Sequence, residues 1–491
     1  MTLTHPTFDR PTSDRSNAWR HRGRRVVVAV VGLGLTVDLT FHQSVDGRAG
    51  TMLSVAAAMV LLLGARVHRP AVVVVTVLVP AFGIWLSLRE SPWLLTLDLI
   101  AISGLLLLAA GFNRGGDPLQ LTFVDLSRRS LSGLGAIARA PAEVLAALVA
   151  VHASQSGSRH RHLWVAIARG VGLAAPIALA AGILLASADG VFASLLHVRI
   201  GPGDIFIHVL ALGIGVMAGL ALIAHAYAPP PPSRVSRIPA FGTLELTMVL
   251  GVLVALYGMF AVAQAVALTR GSEYVQRTTG LTYAEYARRG YFQLLAVAAL
   301  TALVLLAVRP YLRRASRRGR RALVALGETA IALTLVIIVA AVHRLNVYDD
   351  AFGLTMLRLS CIVFAYWLAA VFVLVAVAYV SGVQRQWLAP AVVVSALATL
   401  FVWNAVNPEA IVTRHNVTQA SATVRFDPEY LASLSDDAVP TLVANLSRLP
   451  ALERVALTLA LCRDNDDTDR GFWSANRSHT AATRALQQIC G

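Results

Sequence analysis

Long apolar stretches alternate with short polar ones along most of the chain. Eleven of them approach or exceed the roughly 20 predominantly apolar residues that a helix needs to cross a hydrocarbon core. They are Val26–Phe41, Gly50–Val67, Ala71–Leu88, Trp93–Phe112, Leu163–Ala186, Gly203–Tyr227, Phe241–Thr269, Tyr291–Val308, Ala322–His343, Met356–Val380 and Trp387–Asn404. A backbone in lipid must satisfy its own hydrogen bonds, so each stretch reads as a helix. The pattern predicts an all-α, polytopic transmembrane helix bundle of about eleven spans, the first being the shortest.

Two regions break the alternation. In Asn113–His162, Leu121, Leu126, Leu131, Leu134, Ile137, Val144, Leu145 and Leu148 recur at helical spacing, with Arg128, Arg129 and Arg139 on the other side. This predicts an amphipathic segment lying on one membrane face. The tail from residue 405 to 491 reads as short helices. Asn407-Pro408-Glu409 is a helix start, with Asn as cap, Pro at the first helical position and Glu favoured by the helix dipole. A second start is expected near Ser435-Asp436-Asp437, and a third at Pro450, with Leu452, Val455, Ala456 and Leu459 on one face. The expected organisation is a basic N-terminus (1–25), a transmembrane region (26–404, with 113–162 interfacial) and a small helical C-terminal domain (405–491). Gly215 and Gly219 form a small-xxx-small pair suited to close helix packing.

Composition confirms the membrane class. The chain is 56% hydrophobic and 14% charged, with a mean hydropathy of +0.65, against roughly 45–50% and 25% in soluble proteins. That excludes an ordinary water-soluble enzyme, a disordered chain and a small disulfide scaffold. All 42 basic residues are Arg, which removes a Schiff-base lysine, a phosphate-loop lysine and a lysine general base.

The arginines also give an orientation, because short cytoplasmic loops collect basic residues. With the N-terminus inside, inside segments hold twenty-four Arg and outside loops eight. The N-terminus is therefore expected in the cytoplasm of a plasma membrane, and the tail outside. Runs such as Arg317-Arg318-Gly319-Arg320-Arg321 then face anionic lipid. The +15 net charge is accounted for without a nucleic-acid partner. No small-residue cleavage site follows the first apolar run, so it reads as an uncleaved anchor.

An outside tail lies in an oxidising compartment, so Cys462 and Cys490 are expected to form a disulfide. A simple antiparallel hairpin would hold them apart, so Arg463–Trp473 must run back along the second helix. Two thiols without paired His are too few for zinc.

Intramembrane ionisable residues are costly and carry the best functional lead. There are six: Asp38, Asp98, Arg169, Glu245, Glu328 and Arg358. Asp38, Asp98 and Arg358 fall in the outer parts of their helices, level with Asn404. Three outer segments add to them: Gly280–Gly290 with Tyr283, Tyr286, Arg288 and Arg289; Asn346–Thr355 with Tyr348; and Trp403–Glu409 with Asn407 and Glu409. Together they form a candidate outward-facing polar site able to grip an anionic head group or sugar through Arg. It contains no nucleophile–base pair, and no cofactor or metal site is expected. The leading reading is a non-catalytic transport, sensing or membrane-partner role. The alternatives are a membrane enzyme acting on a lipid-linked sugar or phosphate, with Glu409, Asp349 or Asp350 as acid or base, and a structural partner of another membrane protein acting through the tail.

Three stretches also carry a resemblance. Tyr283-x-x-Tyr286-x-Arg288-Arg289-Gly290, Gly353-Leu354-Thr355-x-x-Arg358 and Trp403-Asn404-x-x-Asn407-Pro408-Glu409 are similar to motifs of a bacterial family of multi-pass membrane proteins known as a domain of unknown function. The likeness runs from the first helix to about Leu449 and leaves the cysteine pair outside. It implies the architecture and brings no activity.

Overall fold

A computed structural model describes residues 12–40, 47–64, 70–113, 122–129, 132–133, 135, 203–227, 242–279, 291–381, 387–420, 426–463 and 472–490 of the 491-residue chain. The described residues are helical, without a strand. In chain order the helices are α1 (Thr12–Thr40), α2 (Arg48–Gly64), α3 (Pro70–Gly83), α4 (Trp85–Leu88), α5 (Pro92–Asn113), α6 (Gly203–Tyr227), α7 (Thr243–Thr279), α8 (Tyr291–Val308), α9 (Arg317–Phe352), α10 (Met356–Val380) and α11 (Leu388–Val406). The tail follows with α12 (Pro408–Gln419), α13 (Pro428–Ala432), α14 (Val439–Asn445), α15 (Ala451–Arg463) and α16 (Arg477–Cys490).

Among the described residues, six helices are long and apolar enough to cross a membrane: Pro92–Phe112, Thr243–Val266, Gln293–Arg313, Arg317–Asn346, Met356–Val380 and Leu388–Val406. Arg48–Gly64, Val72–Leu88 and Ala211–Ala226 are apolar but shorter. The expected fifth stretch, Leu163–Ala186, lies outside the described residues.

The helices of the bundle sort into two halves. In the first, α1 packs along α6 and α2, α3 along α5 and α2, and α5 along α6. Its core is built of small side chains, among them Ala29, Ala57, Ala109, Ala110 and Ala226, with Val30, Val60 and Leu61. The α1–α6 seam is glycine-made. A Cβ added to Gly215 would stand 2.7 Å from Gly34 Cα, and one on Gly219 would stand 3.2 Å from Val30. The expected small-xxx-small pair thus sits where two backbones meet. In the second half, α7, α8 and α10 pack on α9, and α11 packs on α10. Its core is large side chains: Leu250, Leu305, Leu323, Phe372, Tyr379 and Leu388 are all fully buried. Its buried hydroxyls are satisfied locally. Tyr379 donates to Leu305 O at 2.6 Å, and Tyr257 pairs with Thr301 at 2.7 Å.

The halves meet where Phe82 and Trp85 set their rings edge-on to Phe401, at 6.1 and 5.3 Å. A groove of about 850 Å³ runs beside this contact, lined by α5, α10 and α11 through residues such as Trp93, Ile100, Phe364, Trp367 and Leu397. Its walls are spanning helices and almost wholly apolar, so it is space for hydrocarbon.

Several expectations need correction. The stretch Ala71–Leu88 is interrupted: Pro80 sits inside α3, and the chain turns at Ile84 before α4. The segment Asn346–Thr355 is not an outer loop, because α9 continues through Phe352. Polarity there marks an exit from the apolar layer, whereas the helix ends at Gly353, whose φ of 77° suits a residue without Cβ. Glu245 stands at the end of a candidate span, Thr243–Val266. It lies in the first turn of α7 and accepts from Gly242 N–H at 2.8 Å. In the 113–162 segment, residues 123–129 are helical, yet Arg129 does not point away from the bundle. It donates to Gly111 O at 2.9 Å and lies over the Phe112 ring.

The tail helices share a core of Val417, Leu431, Leu442, Leu446, Leu457 and Leu461. Ser435–Ala438 forms a turn, and α14 starts at Val439. On α15 the expected face is the wrong one: Leu452, Val455 and Leu459 are exposed, while Leu457 and Leu461 are buried. Two apolar stripes share this helix, and periodicity alone cannot choose between them. Cys462 and Cys490 are bonded, with their Cα atoms 5.7 Å apart, so the C-terminal ends of α15 and α16 meet.

Candidate functional site

Among the described residues, the expected polar residues fall in three places. Asp38 stands apart on α1, paired with His208 Nδ1 at 2.7 Å. Tyr283, Tyr286, Arg288 and Arg289 lie outside the described residues, as does the side chain of Tyr348. Asp98, Asn404, Asn407, Glu409 and Arg358 gather at one end of the bundle, in two groups that both touch the tail.

The first group begins inside the bundle. Asp98 and Asn404 are fully buried, and Asn404 Nδ2 donates to Asp98 Oδ1 at 2.9 Å, joining α5 to α11. One turn on, α11 gives way to α12 at Asn407, whose φ of 53° is left-handed. This tight reversal suits Asn, which tolerates that conformation better than most residues. Asn407 then serves both sides. Its Oδ1 caps α12 by accepting from Ala410 N–H at 3.2 Å, and its Nδ2 donates to Asp437 O at 2.9 Å. Pro408 follows at the first helical position, as the sequence predicts. Glu409 is buried under the tail and accepts from the Ser435 hydroxyl at 2.6 Å. Burial raises its pKa above the ordinary carboxylate range; the Ser435 and Ser91 hydroxyls oppose the rise, and neighbouring Asp437 adds to it.

The centre of this group is Asp437, which the sequence did not single out for binding. Its carboxylate accepts the backbone N–H of Glu90 and of Ser91, both at 3.0 Å, and the Ser478 hydroxyl. Arg89 stands 3.7 Å away and also donates to the carbonyls of Asn404 (2.8 Å) and Ala405 (3.2 Å). Asn476 completes the joint by donating to Leu86 O and Arg89 O at 3.2 and 2.9 Å. A buried carboxylate with this many donors is satisfied and holds the tail on the bundle. Beside it, His479 Nδ1 lies 2.6 Å from Asp436 Oδ2, and the ligand atoms of Glu90, Asp436 and His479 fall within 4.8 Å of one another.

The second group surrounds the start of α10. After Gly353, both backbone polar groups of Leu354 are taken by the Asn416 side chain, at 2.8 Å each. Thr355 caps α10, and the Tyr430 hydroxyl accepts from Met356 N–H at 2.8 Å. Burial raises the Tyr430 pKa. Arg358 turns back to donate to Gly353 O and lies 3.6 Å from Asp349. Beside it opens a cavity of about 650 Å³ whose walls come from both parts: Phe352–Thr355 and Arg358 from the bundle, and Asn416, Asp427, Glu429 and Tyr430 from the tail.

Asp349 and Glu409, named as alternative acids or bases, are thus engaged with Arg358 and Ser435. Arg89, Asp437 and Asn476 carried no readable signal, because they meet across more than 300 residues, and Ser478 reaches Asp437 across 41. Asn416 and Tyr430 bind backbone groups and likewise match no motif.

Residues 70–445 match the model of a family described as a domain of unknown function (DUF4153). The chain belongs to that family. The match covers α3 through α14 and stops before the disulfide. No curated protein and no solved structure matches the chain.

Proposed function

We propose that this family member is a multi-pass plasma-membrane protein without covalent chemistry, acting in transport, sensing or partner binding through a ligand pocket roofed by its tail. The reading takes eleven spans, with the N-terminus in the cytoplasm and the tail outside. Support for that orientation comes from the partition of arginines between alternate loops. A membrane-impermeant thiol reagent on intact, mildly reduced cells should label Cys462 and Cys490; failure to label them, with labelling after lysis, reverses the map.

The observation that carries the ligand pocket is the 650 Å³ cavity, because its walls belong half to the bundle and half to the tail. Anything bound there touches both, so occupancy is coupled to how firmly the tail sits. Its size falls within the ~300–1,000 Å³ usual for small-molecule sites. Arg358, oriented by Gly353 O and Asp349, supplies a fixed guanidinium on one wall, and Asp427 and Glu429 supply acids on the other. The mixed charge favours a small polar solute carrying both signs. Purified protein should be stabilised in a thermal screen of such solutes, and Arg358→Ala should remove the response while membrane abundance stays normal. An unchanged ligand profile in that variant sinks the assignment.

A second reading keeps the tail as the working surface for another membrane protein. The exposed stripe of Leu452, Val455 and Leu459 favours it. Deleting 426–491 would then remove the cellular role, whereas changes lining the cavity would leave it intact.

A further inference from the structure

Beside the joint that holds the tail, three side chains of metal-ligating type come together. Glu90 comes from the turn before α5, Asp436 from the Ser435–Ala438 turn, and His479 from the first turn of α16. Their ligand atoms all lie within 4.8 Å of one another. Around a tetrahedral zinc with bonds of about 2.0–2.2 Å, neighbouring donors stand roughly 3.4 Å apart. To reach that spacing the widest pair would close by up to about 1.4 Å, and His479 and Asp436, now 2.6 Å apart, would part slightly to admit the ion.

The surroundings favour a cation there. Two carboxylates this close repel unless a proton or a positive ion lies between them. Arg89, the neighbouring guanidinium, is committed to Asp437 and to the carbonyls of Asn404 and Ala405. Asp437 is itself turned onto Glu90 N–H, Ser91 N–H and the Ser478 hydroxyl. These bonds, with Asn476 on Leu86 O and Arg89 O, fix the three segments relative to one another without drawing on Glu90, Asp436 or His479 side chains. The donor set is thus held ready by contacts that belong to other residues, which is how a binding site keeps its shape before its ligand arrives.

We propose that Glu90, Asp436 and His479 form a divalent transition-metal site, best suited to Zn²⁺, that ties the tail to the bundle. One imidazole with two carboxylates is a zinc-type donor set, and the nitrogen selects against Ca²⁺ and Mg²⁺, which take oxygen. Three protein ligands leave a fourth position for water. Metal ligands must be deprotonated to bind, so uptake is weaker at low pH. The proposal does not depend on the ligand pocket around Arg358.

The test uses the full chain in detergent, stripped with chelator and titrated with Zn²⁺ alone. One equivalent should bind and raise the melting temperature, and equal Ca²⁺ should do neither. His479→Ala and Glu90→Gln should each weaken binding by at least about tenfold, the loss seen when even an outer partner of a metal ligand is removed. Both variants should melt like the wild type when stripped of metal. If His479→Ala proves unstable by itself, Glu90→Gln carries the comparison, since it keeps shape and removes one charge. Zn²⁺ binding of equal strength in wild type and variants, absence of binding, or stabilisation that follows protonation of His479 and ignores Zn²⁺ would each overturn the proposal.

Discussion

The two halves of the bundle solve the same packing problem differently. The first brings backbones together through Gly34, Gly215 and Gly219 over a core of alanines, and the tail ties down its turn at Arg89–Ser91. The second keeps backbones apart and fills the space with Leu, Phe and Tyr, as at Phe372 and Tyr379. In lipid, apolar burial gives little drive for helices to associate, so both solutions rest on fit. They fail in opposite ways. The first is broken by added volume and by loss of its polar tie, the second by lost volume.

The largest expected effect falls on the tie. Asp437→Ala leaves two buried N–H groups, a hydroxyl and Arg89 without their acceptor, and loss of a buried charge partner costs about 3–5 kcal/mol. Protease should then release the tail at a temperature where the spanning helices remain intact. Phe372→Ala, at a fully buried ring, should cost about 3–5 kcal/mol and lower the melting temperature of the whole protein. If the tail lets go first in this variant too, the distinction between the halves is wrong.

Gly215→Val should cost about 1–3 kcal/mol, because the new Cβ meets Gly34 Cα at 2.7 Å and backbone must move. Its counterpart in the second half behaves oppositely. Gly251 has nothing within 4 Å of an added Cβ, so Gly251→Ala should stabilise α7 by about 0.5–1 kcal/mol. Equal effects at the two glycines would remove the contrast.

The smallest effect is a pH trend at the seam. Burial holds Glu409 above its ordinary pKa, so the folded state keeps this proton after the unfolded chain has lost it. Stability from Glu409 is complete below the unfolded pKa and declines as pH rises through the raised one. Glu409→Gln should flatten that decline in melting temperature; an unaltered slope assigns the trend to other groups.

What could be read from the sequence was what local chemistry dictates. Asn407-Pro408 announces a helix start, and the structure places Asn407 as the cap there. Gly215 and Gly219 announce a close approach, and they line one. The two tail cysteines were expected to pair, and they are bonded. Asp98 and Asn404 were placed at one level by counting along their helices, and they share a hydrogen bond. What could not be read was who meets whom across the chain. Asp437 looks like a solvated acid beside Asp436 until the fold brings Ser91 to it. Leu452 and Leu457 look equally apolar, and only the position of α13 and α16 decides which is buried. The same reason separates Asp38 from Asp98 and Asn404: residue counting fixes a level along the helices, but not a position around the bundle.

Asp437 grips main-chain N–H groups at positions 90 and 91. Every amino acid but proline offers that group. This part of the grip is therefore blind to which side chains stand at 90 and 91, whereas the Arg89 guanidinium adds a hold that a substitution can remove.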